Sequence, residues 1–151
     1  DKILEESEED LQFILDLMND YPEMRIELLS HTDSRGEDAY NYNLSQRRAN
    51  SAKTWLVDRG IQKFRIEALG EGESKPFTVT DTEAAEYDYL PVGQLLTDDF
   101  ILGLETEDMQ EAAFQLNRRS EFQITEGPTS IKIEEKKLTR KGVREVTEEN
   151  K

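Results

Sequence analysis

The residues best suited to chemistry lie in one short run, His31-Thr32-Asp33-Ser34-Arg35-Gly36, and in Arg48 of the later run Leu44-Ser45-Gln46-Arg47-Arg48-Ala49. A carboxylate accepts hydrogen bonds from an ammonium group, and a guanidinium can hold a carboxylate through two parallel hydrogen bonds. If a loop carries Asp33 and the following helix brings Arg48 back beside it, the two form opposite ends of a pocket for a zwitterion. Each charged hydrogen bond contributes about 1.5 to 3 kcal/mol before ordering and desolvation are set against it. One such site therefore binds with modest affinity. The competing reading makes Asp33 a loop cap and Arg48 part of a surface ion pair. An arginine near a helix start opposes the helix dipole, which weakly favours a further duty for Arg48.

Other reactive residue types are poorly placed. His31 is the chain's single histidine and reads as a residue fixing a strand-to-loop turn. A metal site would have to be assembled from it and carboxylates, and no metal or cofactor is expected. Ser30, Ser34 and Ser45 lack the context of a hydrolytic nucleophile, and Thr32 and Ser34 read as turn residues. Adjacent acids such as Glu5/Glu6 and Asp98/Asp99 read as solvated faces, because adjacency does not give the opposed geometry of a general acid and base. No catalytic residue is expected. Asn117-Arg118-Arg119 has two readings: a turn cap with locally paired arginines, or an Arg118 that braces the loop carrying Asp33. Tyr40, Tyr42 and Trp55 read as core or rim aromatics, since no basic strip accompanies them to hold a phosphate backbone.

The elements that position these residues follow from periodicity. Leu4, Leu11, Ile14, Leu15 and Met18 recur at helical spacing between Ile3 and Asn19, and the helix should stop at Tyr21-Pro22. Arg25 to Ser30 alternates as a strand with Ile26 and Leu28 on one face. His31 to Asn43 should be a loop. Ser45 is a plausible N-cap for a helix burying Ala49, Ala52, Trp55 and Leu56, with Gly60 beyond its end. Phe64 to Leu69 alternates as a second strand, after which Gly70, Gly72 and Pro76 read as turn residues. Glu107 to Phe114 suggests a short helix, Ser120 to Ile124 a third strand, and Ile131 and Ile133 a short fourth. Glu134 to Lys151 is a mixed-charge tail expected to be solvated and partly mobile.

Composition bounds the function. A chain of 151 residues fits one domain. With 34 acidic and 19 basic residues its net charge is −15, a field that opposes nucleic acid and anionic membranes. The stretch from Phe77 to Leu116 alone holds ten acidic residues and neither lysine nor arginine. Its apolar residues, among them Tyr87, Leu90, Leu96 and Ile101, are too many for a simple tether, so packing against the domain is expected. There is no cysteine, hence no disulfide framework or thiolate. No apolar run reaches the roughly 18 residues of a membrane span. The chain does not begin with methionine and reads as a piece of something longer.

Four ordered blocks then carry a resemblance: His31-Thr32-Asp33-x-x-Gly36; Tyr40-Asn41-x-x-Leu44-Ser45-x-x-Arg48-Ala49; Gly70-x-Gly72-Glu73-x-x-Pro76; and Asn117-Arg118-Arg119. The chain resembles the C-terminal peptidoglycan-associated domain of outer-membrane proteins, the OmpA-like family, shared with peptidoglycan-associated lipoproteins and flagellar-motor stator proteins. The resemblance implies an α+β, β/α/β/α/β sandwich with helices on a small mixed sheet, and non-catalytic binding of the diaminopimelate residue of the peptidoglycan peptide stem. Position by position, it implies that Asp33 accepts from the diaminopimelate ammonium and Arg48 holds its carboxylate. Ser34 and Arg35 match binding-loop positions, Asn41 a polar pocket position, and Arg118 the arginine that fixes the site. His31, Thr32, Leu44 and Asn117 support them.

The resemblance covers residues 1–125, interrupted by an acidic insertion over 77–116 where the family connection is shorter, and leaves 126–151 as a C-terminal extension. The family's first strand is not evident, and Ile131 and Ile133 are candidates to replace it. The implied location is the periplasm of a Gram-negative bacterium, associated with the outer membrane through the rest of the parent protein. Envelope proteins that dock on the insertion are possible further partners.

Overall fold

The computed structural model describes residues 8–127 and the backbone of Val143–Glu145. Helix α1 (Glu8–Asp20) buries Leu11, Ile14, Leu15 and Met18 as expected, together with Phe13 and Leu17, while the expected Leu4 lies outside the described residues. Strand β1 (Arg25–His31) points Ile26 and Leu28 into the core. Helix α2 (Asp38–Asp58) is the crossover to β2 (Ile66–Gly72), which pairs with β1 in parallel. Strand β3 (Arg119–Glu126) returns antiparallel on the other side of β1. The sheet order is β2-β1-β3-β4, with β4 (Val143–Glu145) parallel to β3. Phe122 and Ile124 of β3 join Ile26, Leu28, Trp55, Leu56 and the α1 residues in one apolar cluster. This is the expected α+β arrangement of helices on a small mixed sheet.

Three boundaries differ from the sequence expectation, each for a physical reason. Helix α2 begins seven residues before Ser45. Its first two turns bury Asn41 and Ser45, polar side chains that conceal a helical face from hydrophobic periodicity. Residues Lys63–Arg65 form a 3₁₀ turn, so β2 starts at Ile66 and runs through Gly72. Gly70 therefore lies in the strand. A Cβ on it would sit 2.3 Å from the Gln46 nitrogen, so glycine here lets α2 rest directly on β2. The Gln46 amide closes the contact: its oxygen accepts from Gly70 N–H at 2.9 Å and its nitrogen donates to the Ala68 carbonyl at 3.0 Å. Last, the edge next to β3 is taken by Val143–Glu145. Ile131 and Ile133 lie outside the described residues, as does most of the expected tail.

The acidic insertion is folded. It contains α3 (Asp81–Glu86), α4 (Asp98–Leu102) and α5 (Glu107–Asn117), where sequence suggested one helix. A threonine opens each: Thr80 in a capping box with Glu83, Thr97 accepting from Phe100 N–H, and Thr106 accepting from Met109 N–H. Acids occupy each first turn, where they complement the helix dipole. Much of the insertion's negative charge is thus helix-start chemistry. Phe77, Val79, Leu90, Leu96, Ile101, Ala113 and Phe114 form a second core. Asn117 ties its ends together, accepting from Phe77 N–H at 2.8 Å and donating to the Leu96 carbonyl at 3.0 Å.

Candidate functional site

The C-terminal ends of β1 and β2 meet the start of β3 at one end of the sheet, and the chemically interesting residues gather there. The ladder slips between Ser30 and His31, and Thr32 N–H donates to the Gly72 carbonyl at 2.8 Å. This delivers Asp33 at the strand exit, 6% exposed. Its Oδ1 accepts from the Arg35 backbone N–H at 2.9 Å and from Arg35 Nε at 3.2 Å, while Oδ2 accepts from an Arg35 terminal nitrogen at 2.9 Å. Arg118 Nε stands 3.9 Å from Oδ2. The Asn41 amide nitrogen donates to the Arg35 carbonyl at 3.0 Å and to Glu73 at 3.1 Å, and so pins the loop to α2 and β2.

Arg35 binds two carboxylates at once. Its other terminal nitrogen lies 2.7 Å from Glu111 on α5, and the guanidinium sits 4.4 Å above the Phe114 ring. The two carboxylates raise its pKa, and Arg35 in turn lowers that of Glu111. Ser34 donates a hydrogen bond to Asp98 of α4. The insertion therefore grips the Asp33 loop through Arg35 and Ser34, and the exposed Asp98 is more than a solvated acid; Glu5 and Glu6 lie outside the described residues.

Arg48 sits mid-helix in α2, well past the first turn, so the dipole argument for it lapses. Among the described residues the cations beside Asp33 are Arg35 and Arg118; Arg48 has its own interactions elsewhere. Leu44 is half-buried on α2. By contrast, Thr32, Ser34 and Asn117 share the wall of a cavity of about 300 Å³ with Glu73, Pro76 and the insertion residues Leu96 to Asp99. Among the described residues no group of three or more histidines and acids could hold a metal ion.

His31 is buried behind the loop, with Nε2 3.0 Å from Glu121 of β3. A carboxylate only accepts, so the neutral imidazole donates from Nε2. Burial lowers the His31 pKa, aided by Arg119 and opposed by Glu121. Burial also pushes Glu121 upward, but the His31 hydrogen bond and Arg119, 2.9 Å away, hold it at about 2. Both groups favour folding at higher pH. A histidine with lowered pKa contributes above its unfolded value of about 6.5 and loses that contribution as pH falls. The Glu121 contribution is complete above about 4.5 and is lost as pH falls through about 2. Its size is about 3 kcal/mol. Urea unfolding of wild type and Glu121→Gln should therefore give stability curves that converge by about 2 to 3 kcal/mol between pH 6 and pH 2. Parallel curves would show that the fold leaves Glu121 unperturbed.

Sequence reasoning missed Glu111, Glu121 and the engagement of Asp98. All three act across long sequence separations, and only Glu121, alternating with Phe122 in a recognised strand, left any local trace.

A sequence model of the OmpA family matches residues 1–89, ending inside the acidic insertion. The chain is 48% identical over 75 residues to outer membrane porin F of Pseudomonas fluorescens, covering 50% of this chain and 23% of that protein. It is 43% identical over 86 residues to outer membrane porin F of Pseudomonas aeruginosa, covering 56% and 24%. It thus spans about a quarter of the length of these relatives. Among solved structures, the peptidoglycan-associated lipoprotein of Burkholderia pseudomallei aligns with a TM-score of 0.43 at 31% identity, over 49% of this chain and 63% of that one. With more than half of its residues inside the family match, the chain belongs to the OmpA family.

Proposed function

We propose that this chain binds the peptide stem of peptidoglycan without catalysis and so anchors a larger envelope protein to the cell wall, with diaminopimelate as the recognised residue. The observation that carries the reading is the buried Asp33 carboxylate at the exit of β1, already engaged by the cationic groups of Arg35 and Arg118. A ligand ammonium is a third cation of the same kind. Arg35 can yield its place on Asp33 while keeping Glu111, so ligand binding exchanges one cation for another and affinity stays modest. Many copies facing a polymer compensate through effective concentration. In this reading Arg48 holds the ligand carboxylate, residues up to 125 form the binding domain around the 77–116 insertion, 126–151 are an extension, and the location is the periplasm beside the outer membrane. Among the described residues no helix is long and apolar enough to cross a membrane.

Calorimetric titration with a diaminopimelate-containing stem peptide, beside a lysine-containing control, tests this. Wild type should prefer the diaminopimelate peptide. Asp33→Ala should weaken binding by about 30-fold or more and Arg48→Ala by about tenfold, each losing a charged hydrogen-bonding partner. Affinity indifferent to both variants and to the ligand's terminal carboxylate would sink the clamp.

A second reading, an assembly module working through the insertion, has one observation in its favour. The insertion has its own core and still exposes Val92 and Leu102 by 60% and 63%. Such a module would leave the stem peptide unbound in the same titration.

A further inference from the structure

The Asp33 carboxylate is already occupied, and by a residue of its own loop. Arg35 covers both oxygens, with its backbone N–H and Nε on Oδ1 and a terminal nitrogen on Oδ2. The Asp33 side chain is 7% exposed and that of Arg35 44%, so the guanidinium is the outer of the two groups. A cation that comes to Asp33 from solvent must displace the Arg35 head group. Arg118 Nε, at 3.9 Å, is beyond hydrogen-bonding reach and leaves Arg35 as the resident partner.

An ordinary surface pair of arginine and carboxylate is weak, because fixing a long side chain in one geometry costs conformational entropy. The insertion removes much of that cost. Glu111 of α5 accepts from the second terminal nitrogen of Arg35 at 2.7 Å and stands 3.5 Å from the first. Gln115, one turn further along α5, steadies Glu111 by donating to its Oε2 at 2.8 Å. The guanidinium carbon also lies 4.4 Å from the centre of the Phe114 ring, which belongs to the insertion's own core. The planar head group therefore has one edge on Asp33, another on Glu111 and an aromatic ring against it. Ser34, the residue between Asp33 and Arg35, is tied to Asp98 of α4 as well.

We infer that the insertion sets the affinity of the Asp33 site, with Glu111 and Phe114 keeping Arg35 in place as a built-in competitor for the incoming ammonium. This deepens the proposed stem-peptide binding and rests on it. When a ligand displaces Arg35 from Asp33, Glu111 retains the guanidinium close by at high effective concentration and so favours its return. Glu111 is thus a positioning residue that acts through Arg35. Without Glu111, Arg35 would have to give up its full side-chain freedom each time it closed on Asp33, and the ligand would compete better. Affinity at Asp33 is in this way coupled to how α5 sits against the loop.

The test is calorimetric titration of the whole chain with the diaminopimelate-containing stem peptide, in wild type, Arg35→Ala, Glu111→Ala and the double variant. Alanine at position 35 keeps the backbone N–H on Asp33 and removes the competing head group. Glu111 is exposed on a helix, where alanine is well tolerated. Arg35→Ala should tighten binding about tenfold, the equivalent of about 1.4 kcal/mol, and Glu111→Ala should tighten it severalfold. In the Arg35→Ala background, Glu111→Ala should change nothing further, because its effect passes through Arg35. A merely structural role for Glu111 would weaken binding in both backgrounds. Peptide binding that depends on Asp33 but is no tighter in Arg35→Ala overturns the competitor and leaves the proposed function standing. Tighter binding in Arg35→Ala with no change in Glu111→Ala overturns the insertion's part. No binding in any of the four proteins sinks the proposed function, and this inference with it.

Discussion

Gly70→Ala should destabilise the domain by at least about 3 kcal/mol, the upper range for overpacking a close contact. The added methyl would stand 2.3 Å from the Gln46 nitrogen, 2.6 Å from its Cα and 2.6 Å from Ser45 Oγ. Two of those atoms are helix backbone, so no rotamer change relieves them and α2 must lift from β2. Lifting it breaks the Gln46 bonds to Gly70 and Ala68 and the 2.9 Å bond from Gly72 N–H to Ser45 Oγ. The consequence reaches the candidate site, because α2 also carries Asn41, which pins the Asp33 loop, and Arg48. The urea midpoint should fall by at least about 1 M at the slopes usual for small domains. Gly103→Ala is the control: its Cβ would meet only ordinary contacts at 3.5 Å, and its φ of −84° suits any residue, so the change should stay within about 0.5 kcal/mol. A Gly70→Ala loss below about 1 kcal/mol would show that α2 can shift without breaking these bonds.

The same contact shows what sequence could and could not convey. Where a face is apolar, periodicity exposed it: Leu11, Ile14, Leu15 and Met18 marked α1, and Ile26 and Leu28 marked β1. Where a buried face is built from Asn41, Ser45 and glycine, periodicity was silent. Periodicity starts α2 at Ser45, seven residues late, and makes Gly70 a turn residue where it lies in β2. The four motif blocks named the loop, the helix and Asn117-Arg118-Arg119 as one constellation, and the fold does bring Asp33, Arg35, Asn41 and Arg118 together. What they could not convey was the insertion's hold on that loop. The Arg35–Glu111 pair spans 76 positions and the Ser34–Asp98 bond spans 64, and no local pattern encodes such a meeting. Acids that composition presents as a solvated face divide, once folded, into helix starters, a latch on Arg35 and the wall of a cavity.

Arg65→Met should cost about 2 to 5 kcal/mol, at about 1 to 3 kcal/mol for each buried carbonyl left without its donor. Arg65 is 5% exposed, and among the described residues no carboxylate pairs with it. Its guanidinium instead donates to three carbonyls where α1 ends and turns into β1: Met18 at 2.8 Å, Tyr21 at 2.8 Å and Met24 at 2.9 Å. The last carbonyls of a helix have no partners within it, and α1 has no basic residue in its final turn. Arg65, from the turn before β2, supplies the missing donors across more than 40 residues. Burial lowers its pKa, a sign that desolvation is a real charge against the arrangement. Even so, methionine restores the volume and none of the donors: the Tyr21 carbonyl keeps the Met24 N–H at 2.9 Å, but the Met18 and Met24 carbonyls lose the donor that Arg65 gave them. Arg65→Lys has a single head group that cannot span all three carbonyls and should fall between wild type and Arg65→Met. Hydrogen exchange locates the effect: the Arg65→Met loss should concentrate in the last turn of α1 and the start of β1 before it appears elsewhere. An unfolding loss below about 1 kcal/mol, or protection lost uniformly across the sheet, would rule out Arg65 as the cap that joins α1 to the sheet.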